Sequence, residues 1–242
     1  MPTRDQVYRD PQNLIVDFAF DASVADVFPD MIRRSVPGYE TVVPMTGLLA
    51  ARQLRRSDER VPRAYDLGCS LGATALALVR QLGDHPCRLT AVDSSAAMIE
   101  RATRLVSDER IEFVLADIRD LELAPAEAVT LNYVLQFLPL SDRLSMLQRI
   151  RAALAPDGLL LVSEKIRFED AGMQRDFDAA HLDYKRANGY SELEISQKRS
   201  ALENVMIIDT EEDHRCRFRT AGFTRVRKWY QCLNWASFEV RP

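Results

Sequence analysis

The chain has 242 residues, of which 47% are hydrophobic and 28% are charged, so it can form a globular domain with a substantial core. Its 32 basic and 36 acidic residues give a formal net charge of −4, which argues against an overall basic surface for nucleic acid. The apolar stretches have the length of strands and are too short to cross a bilayer. Residues 1–11 are polar with mixed charges, unlike a signal peptide. The composition predicts a cytoplasmic protein that does not bind nucleic acid or membranes directly.

Neither the cysteines nor the histidines show the spacing of a metal site or a catalytic pair. The cysteines are Cys69, Cys87, Cys216 and Cys232, with no CxxC pair, which is typical of reduced thiols rather than a disulfide framework. The histidines are His85, His181 and His214, and we expect all three at the surface. The sequence therefore predicts no metal.

Residues 1–60 are predicted to form an N-terminal helical cap. Asp21 can cap a helix whose apolar residues recur at helical spacing as far as Met31. The turn Val36-Pro37-Gly38-Tyr39 ends this helix, and Val42–Leu54 is predicted to form a second one.

Residues 61–166 alternate between short apolar runs and helix-length segments, as expected of a ligand-binding core. The predicted strands are Ala64–Leu67, Arg88–Asp93, Ile111–Leu115, Ala128–Asn132 and Leu159–Ser163. The predicted helices are Ala73–Leu82, a segment capped by Ser94 or Ser95, and a segment from Ser141 to Leu154 that Pro156-Asp157-Gly158 closes. Strands separated by helices require parallel pairing with right-handed crossovers. We therefore expect an α/β fold with a doubly wound, Rossmann-like sheet.

Residues 167–210 are predicted to be a strongly charged helical insertion. Within it, Ser191 and Glu194 have the capping-box spacing of a helix start. We expect this insertion to form a lid or a dimer surface.

Residues 211–242 are predicted to contribute a closing helix and the last strands. Gly222 ends the helix, and the segments Val226–Gln231 and Leu233–Val240 predict an antiparallel hairpin at the sheet edge. The whole chain is thus predicted to be a single domain with a mostly parallel seven-stranded sheet, a C-terminal antiparallel hairpin and a helical insertion.

A glycine-bearing loop follows the first predicted strand. Its sequence is Asp66-Leu67-Gly68-Cys69-Ser70-Leu71-Gly72. Glycines let a backbone turn sharply and approach a ligand closely, although a plain strand-to-helix turn would also use them. Ser70 stands where dinucleotide-binding loops carry their second glycine, which argues against a bound pyrophosphate.

Polar side chains end the next three predicted strands. Asp93 can accept hydrogen bonds from both hydroxyls of a ribose, and Asp117 can accept one from an adenine amino group. Asn132 ends a buried strand, where its amide needs a partner. Since ligands of open α/β sheets bind outside the carboxyl ends of the strands, these residues predict a nucleoside site. Together with the glycine loop, over roughly residues 60–165, they resemble the class I S-adenosylmethionine-dependent methyltransferase fold.

Longer motifs narrow this resemblance to one family. The chain resembles the carboxy-S-adenosyl-L-methionine synthase family from about residue 15 onwards. The segments that carry the resemblance are Val27-Phe28-Pro29-Asp30-Met31-Ile32, Arg34-Ser35-Val36-Pro37-Gly38-Tyr39, Tyr65-Asp66-Leu67-Gly68-Cys69-Ser70-Leu71-Gly72, Met98-Ile99-Glu100-Arg101, the run from Lys185 to Arg199, and Leu202-Glu203-Asn204-Val205-Met206.

The resemblance implies that the enzyme carboxylates the methyl group of S-adenosyl-L-methionine, with prephenate as the carboxyl source and phenylpyruvate as the by-product. A tRNA carboxymethyltransferase would then use the product to give the wobble uridine of tRNA its 5-oxyacetyl group. The ligand contacts that the resemblance implies are Tyr39, Gly68, Cys69, Ser70, Asp93, Ser94, Asp117, Ile118, Asn132 and Arg199. Ser94 stands where asparagine is common in the family.

Two of these residues are implied to take part in the chemistry. Arg199 offers a planar fork that suits the new carboxylate, although as a helix residue it could also be a solvated charge. Tyr39 follows a turn and can cover a ligand, although it could also pack in the core. The charged insertion suggests a homodimer, and Arg199 could act in its own subunit or in the neighbouring one.

Two other functions share the same nucleoside site. An ordinary S-adenosylmethionine-dependent methyltransferase would need an acceptor pocket in place of a carboxylate clamp. A non-catalytic S-adenosylmethionine-binding partner of a tRNA-modifying enzyme would bind the nucleoside without turnover.

Overall fold

The structure is a computed structural model that describes residues 4–11 and 16–242. Residues 1–3 and 12–15 of the predicted N-terminal cap lie outside the described residues. The strands are β1 (Arg63–Leu67), β2 (Arg88–Asp93), β3 (Ile111–Leu115), β4 (Ala126–Asn132), β5 (Leu154–Arg167), β6 (Asp209–Thr210), β7 (Arg225–Cys232) and β8 (Trp235–Arg241). The α-helices are α1 (Ala22–Ser35), α2 (Tyr39–Leu54), α3 (Ala73–Leu82), α4 (Ala96–Leu105), α5 (Leu140–Ala153), α6 (Ala171–Ala187), α7 (Glu192–Leu202) and α8 (Glu211–Thr220). In the described part of the chain, no helix is long and apolar enough to cross a bilayer.

The main sheet has the strand order β3-β2-β1-β4-β5-β8-β7, and the two-residue strand β6 pairs with the end of β5. Strands β1 to β5 are parallel, whereas β8 is antiparallel to both β5 and β7. This arrangement confirms the predicted fold, with seven strands in the main sheet and an antiparallel C-terminal hairpin.

The hairpin differs in one respect from a simple addition to the sheet edge. Its second strand, β8, is inserted between β5 and β7, so that β7 forms the edge. Burial explains this order, because most of β8 is buried while β7 is largely exposed and carries Arg225, Arg227 and Lys228. Charged side chains are suited to an edge strand, which must not recruit another chain.

The core lies on both faces of the sheet. Successive residues of β5 belong alternately to two buried clusters, since Leu160 packs with α5 and α8 while Leu161 packs with α2 and α3. Successive strand residues point to opposite faces, so the two clusters lie on opposite sides of the sheet. Both faces are therefore covered, as the predicted doubly wound topology requires.

The insertion is helical as predicted, and its second helix begins at the predicted capping box. Ser191 Oγ accepts a hydrogen bond from Glu194 N, and the Glu194 side chain accepts one from Ser191 N. The β5 strand extends beyond the predicted Ser163 because Glu164 and Lys165 pair with residues of β8. This extension brings Lys165 to the edge of the sheet where the predicted nucleoside site lies.

The prediction of surface histidines was wrong for His181 and His214. Their exposed fractions are only 6% and 2%. His181 Nε2 lies 2.8 Å from the carbonyl oxygen of Ser35, and the His214 ring stacks on Phe218. The faces of α6 and α8 that carry these histidines pack against the rest of the protein. The mainly polar sequences of both helices gave no sign of this burial.

The loop after β4 is held by one buried carboxylate. Glu164 Oε1 accepts hydrogen bonds from the N–H groups of Val134 and Leu135 at 3.0 and 2.8 Å, and its Oε2 accepts one from Gln136 at 3.1 Å. Burial raises the pKa of Glu164 to about 8, while the three N–H groups act in the opposite direction. The carboxyl group therefore satisfies three consecutive donors that have no helix or strand partner.

We expect Glu164→Gln to lower the free energy of unfolding by about 1–3 kcal/mol. The amide nitrogen would replace one acceptor with a donor, leaving a buried N–H of this loop without a partner. Urea denaturation measures the change, and Glu112→Gln on the exposed face of β3 is the control, for which we expect no change. Equal stability of the two variants would show that the carboxylate does not hold the loop.

Candidate functional site

A cavity of about 960 Å³ lies at the carboxyl ends of the parallel strands, between the sheet, the N-terminal helices and the insertion. This volume is at the upper end of the usual range for small-molecule sites, about 300–1,000 Å³. The ten predicted ligand residues all line it: Tyr39, Gly68, Cys69, Ser70, Asp93, Ser94, Asp117, Ile118, Asn132 and Arg199. The structure thus brings together residues that are far apart in the sequence.

The glycine loop turns the chain from β1 into α3 and forms one wall of the cavity. Gly68 has a φ of +76°, and a Cβ atom there would lie 2.4 Å from Val134 Cγ2. A side chain at this position would therefore clash with the loop after β4. The N–H groups of Gly68 and Cys69 are both bonded to the carbonyl of Val92, at 2.8 and 2.9 Å, which fixes the turn.

Asp93 ties this loop to the start of α4. Its Oδ2 accepts a hydrogen bond from Ser70 N at 2.9 Å, and its Oδ1 accepts one from Ser95 N at 2.9 Å. Ser95, not Asp93, is the N-cap residue of α4, since its Oγ accepts from Met98 N. Each carboxylate oxygen of Asp93 keeps a second lone pair that can accept from a ligand hydroxyl. Burial raises the pKa of Asp93, against the effect of the backbone N–H groups.

Three buried polar atoms at the cavity wall have no hydrogen-bond partner within residues 4–11 and 16–242. They are Asn132 Oδ1, Tyr133 Oη and Trp235 Nε1. The Asn132 amide is oriented by its Nδ2, which donates to Thr74 Oγ1 at 3.0 Å. Buried polar atoms are rarely left unsatisfied, so these three atoms fit a ligand that has both donors and acceptors.

Asp117 lines the cavity, but its carboxylate is already bound by an arginine that sequence reasoning missed. The Arg119 side chain contacts both carboxylate oxygens, at 2.6 Å for the Nη2–Oδ2 pair, and it also reaches Asp142. These hydrogen bonds lower the pKa of Asp117 and keep it ionised. The spacing Asp-x-Arg at a strand end is the signal that could have revealed the pair.

Aromatic rings form the middle of the cavity. The rings of Tyr39 and Tyr133 lie 6.1 Å apart, and Tyr133 packs edge-on against Trp235 at 5.4 Å. Burial raises the pKa of Tyr39 and that of Tyr133 far above the usual value, so both phenols are neutral. The negative faces of such rings suit a sulfonium or another cation.

The end of the cavity beneath the insertion is rich in cationic side chains. Lys165, Lys185, Lys198 and Arg199 line it, from β5, α6 and α7. Burial lowers the pKa of Lys185 to about 7 and that of Lys198 to about 8. Among the described residues, Arg199 has no carboxylate partner and forms no hydrogen bond. One cavity thus combines the strand-end carboxylates of Asp93 and Asp117 with a group of cations beneath the insertion.

Two other side chains in the cavity are unsuited to acid–base or nucleophilic roles. Burial lowers the pKa of His181 to about 3, so its ring is neutral and hydrogen-bonded to Ser35. Burial also raises the pKa of the Cys69 thiol far above its usual value, and only the thiolate is a strong nucleophile. Within the part of the chain that the structure describes, no cluster of side chains could hold a metal ion.

Comparisons with known proteins identify the domain and its fold. A family model described as a methyltransferase domain matches residues 64–158. Human N-acetylserotonin methyltransferase, solved in complex with SAM, is similar in structure with a TM-score of 0.62 and 18% identity, over 91% of this chain and 55% of that one. An O-methyltransferase family protein from Burkholderia thailandensis gives a TM-score of 0.64 at 17% identity, over 92% of this chain and 60% of that one. These likenesses establish the methyltransferase fold.

Sequence relatives narrow the assignment. A carboxy-S-adenosyl-L-methionine synthase from Pseudomonas aeruginosa (strain UCBPP-PA14) is 47% identical over 100% of both chains. One from Shewanella putrefaciens is 48% identical over 97% of both, and one from Aeromonas salmonicida is 48% identical over 98% of this chain and 96% of its own. The chain accordingly belongs to the carboxy-S-adenosyl-L-methionine synthase family.

Proposed function

We propose that this enzyme converts S-adenosyl-L-methionine and prephenate to carboxy-S-adenosyl-L-methionine and phenylpyruvate. The observation that carries the proposal is that one cavity combines strand-end carboxylates with a group of cations beneath the insertion. The carboxylates suit the hydroxyl and amino groups of an adenosine, and the cations suit the carboxylates of a donor and of a carboxylated product. The names of the full-length relatives support the identity of the product.

The proposed reaction balances without a metal or a protein nucleophile. A sulfonium acidifies the hydrogens of its methyl group, so that loss of one proton gives a carbon nucleophile. Prephenate becomes aromatic when it loses carbon dioxide and hydroxide, and this leaves phenylpyruvate. The hydroxide takes the methyl proton to form water, and the carbon nucleophile bonds to the carbon dioxide. The protein has to hold both reactants close together and exclude water.

The residues of the cavity divide into two roles in this scheme. Asp93 would accept from the ribose hydroxyls, and the backbone of the glycine loop would contact the methionine part of the nucleoside. Tyr39 would cover the sulfonium with its ring, and Arg199 would pair with the new carboxylate. The remaining proposed nucleoside contacts are Gly68, Cys69, Ser70, Ser94, Asp117, Ile118 and Asn132.

The wider role follows from the product. We infer that the enzyme is cytoplasmic and supplies carboxy-S-adenosyl-L-methionine to a tRNA carboxymethyltransferase that modifies the wobble uridine. The net charge of −4 argues against direct tRNA binding by this chain. We also infer that the charged insertion forms the surface of a homodimer.

The rival with the most structural support is an ordinary methyltransferase, because the similar solved structures include O-methyltransferases. Such an enzyme transfers the methyl group and leaves S-adenosylhomocysteine. Lys185 and Arg199, which have no ion pair with a described residue, favour carboxylation. A transferred methyl group would carry no negative charge for these cations to bind.

We expect incubation with methyl-labelled S-adenosyl-L-methionine and prephenate to yield labelled carboxy-S-adenosyl-L-methionine and an equal amount of phenylpyruvate. Mass spectrometry of the nucleoside fraction measures the product, and omission of prephenate is the control. Formation of S-adenosylhomocysteine instead would establish the ordinary methyltransferase. Binding without turnover would establish the non-catalytic partner.

We expect Arg199→Ala to weaken the binding of carboxy-S-adenosyl-L-methionine by about ten-fold or more and to leave the affinity for S-adenosyl-L-methionine within about two-fold. The lost charge-assisted contact is worth about 1.5–3 kcal/mol and exists only when the carboxylate is present. Titration calorimetry with both ligands measures the difference. Arg186→Ala is the matched control, because Arg186 pairs with Asp183 and Glu192 outside the cavity. An equal loss for both ligands would show that Arg199 is structural.

A further inference from the structure

Lysines are scarce in this chain and are concentrated at the cavity. Four of the 32 basic residues are lysines, and three of these, Lys165, Lys185 and Lys198, line the same cavity. The fourth, Lys228, pairs with Glu211 on the outer surface. A chain that uses arginine for most of its positive charges therefore places three of its four lysines at this cavity.

The three lysines differ in their partners. Lys198 donates to Ser35 Oγ at 3.0 Å and lies 3.8 Å from the Asp5 carboxylate. Among the described residues, neither Lys185 Nζ nor Lys165 Nζ forms a hydrogen bond or a close ion pair, and Lys165 Nζ lies 6.0 Å from the centre of the Trp235 ring. Lys198 thus has a structural role, whereas the ammonium groups of Lys165 and Lys185 are free to donate hydrogen bonds to a ligand.

The charged groups that face Lys185 are all cations, and the positive charge around the two lysines exceeds the negative charge. Lys185 is faced by Lys165 from β5, by Lys198 and Arg199 from α7, and by the neutral His181 on its own helix. Asp178 is a carboxylate that acts on Lys165, and it also accepts a hydrogen bond from Gln174 Nε2 at 2.8 Å. An excess of half-buried positive charge is costly, so this arrangement calls for an anionic ligand.

We propose that Lys165 and Lys185 bind the side-chain carboxylate of a dicarboxylate donor, the carboxylate that the by-product retains. Arg199 would then be left for the carboxyl group that is transferred, and the neighbouring Trp235 would pack against the ring of the donor. This assignment rests on the proposed function and adds to it the residues that select the donor.

Lysine suits this role better than arginine for an electrostatic reason. An arginine would stay charged in the empty cavity, whereas a lysine can lose its proton when it is buried among other cations. With its pKa lowered to about 7, Lys185 is about half protonated near neutral pH until an anion arrives. The bound carboxylate raises this pKa, so a proton enters the site together with the donor.

We expect Lys165→Met and Lys185→Met each to raise the KM for prephenate ten-fold or more and to leave the KM for S-adenosyl-L-methionine within two-fold. The melting temperatures should equal or exceed that of the wild type, because an unpaired buried charge has been removed. Lys228→Met is the matched control and should keep both KM values. A lower melting temperature with parallel losses for both substrates would show that the lysines are structural.

A second measurement uses pH. Phenylpyruvate, whose carboxylate stays ionised throughout this range, should bind the wild type about ten-fold more weakly at pH 8.5 than at pH 7, because Lys185 loses its proton as the pH rises. Lys185→Arg should remove most of this dependence and the proton uptake, which titration calorimetry in buffers of different ionisation enthalpy measures. An unchanged pH profile in Lys185→Arg would overturn the role of Lys185.

The two proposals fail in different ways. If the wild type makes carboxy-S-adenosyl-L-methionine while both methionine variants keep the wild-type KM for prephenate, the donor site is wrong and the proposed function stands. If the wild type makes no carboxylated product from prephenate, the proposed function is wrong, and the donor site falls with it.

Discussion

The candidate site depends on three hydrogen bonds that the buried carboxyl group of Glu164 accepts. The donors are three consecutive backbone N–H groups, from Val134 to Gln136, and the bonds so fix the loop that leaves β4. The same loop carries Tyr133 into the cavity with a left-handed backbone, φ +64°, which is uncommon for a residue other than glycine. Strained positions of this kind persist where the surroundings hold them firmly, and here the buried carboxyl group of Glu164 does so.

This loop also joins the nucleoside end of the cavity to the insertion. Gln136 Oε1 accepts from the N–H of Lys165, and the Gln136 carbonyl accepts from Ile207 N at 2.9 Å and from Arg143. Arg143 is fully buried and pairs with Asp209 at the end of the insertion. The cationic end of the cavity is therefore positioned by the same residues that shape the wall of the nucleoside end. Such coupling suits a reaction in which two bound molecules have to meet at a fixed distance.

Local sequence signals account for the fold and for one half of the site. The helix Ala73–Leu82 and the strands Arg88–Asp93 and Ile111–Leu115 have the predicted bounds, because apolar runs between glycine and polar caps determine them locally. Asp93 and Asn132 reach the cavity for the same reason, since the end of a parallel strand determines where its last side chain lies. The prediction did not include the pairing of Asp117 with Arg119, although the Asp-x-Arg spacing after β3 could have indicated it.

The cationic half of the site could not be predicted from local patterns. Lys165 and Lys185 come from a strand and a helix that meet only after the insertion folds back over the sheet, so their spacing in the sequence carries no information. The surface prediction for His181 failed for a related reason. Its helix is mostly exposed, and the packing of α6 against the turn at Ser35 buries this residue. The prediction of Arg199 as a ligand contact rests on the family motif from Lys185 to Arg199, because the sequence of its own helix does not distinguish it from a solvated charge.

The position of β8 inside the sheet has a consequence for synthesis. Residues Trp235–Arg241 pair with β5 on one side and β7 on the other, so a nascent chain leaves the β5 edge unpaired until these residues emerge from the ribosome. The parallel half of the sheet can assemble earlier, but it then exposes an apolar edge that is prone to association with other chains. Trp235 is also part of the cavity wall, so a partly synthesised chain lacks a complete binding site. Such a chain cannot be stabilised by binding its own ligands.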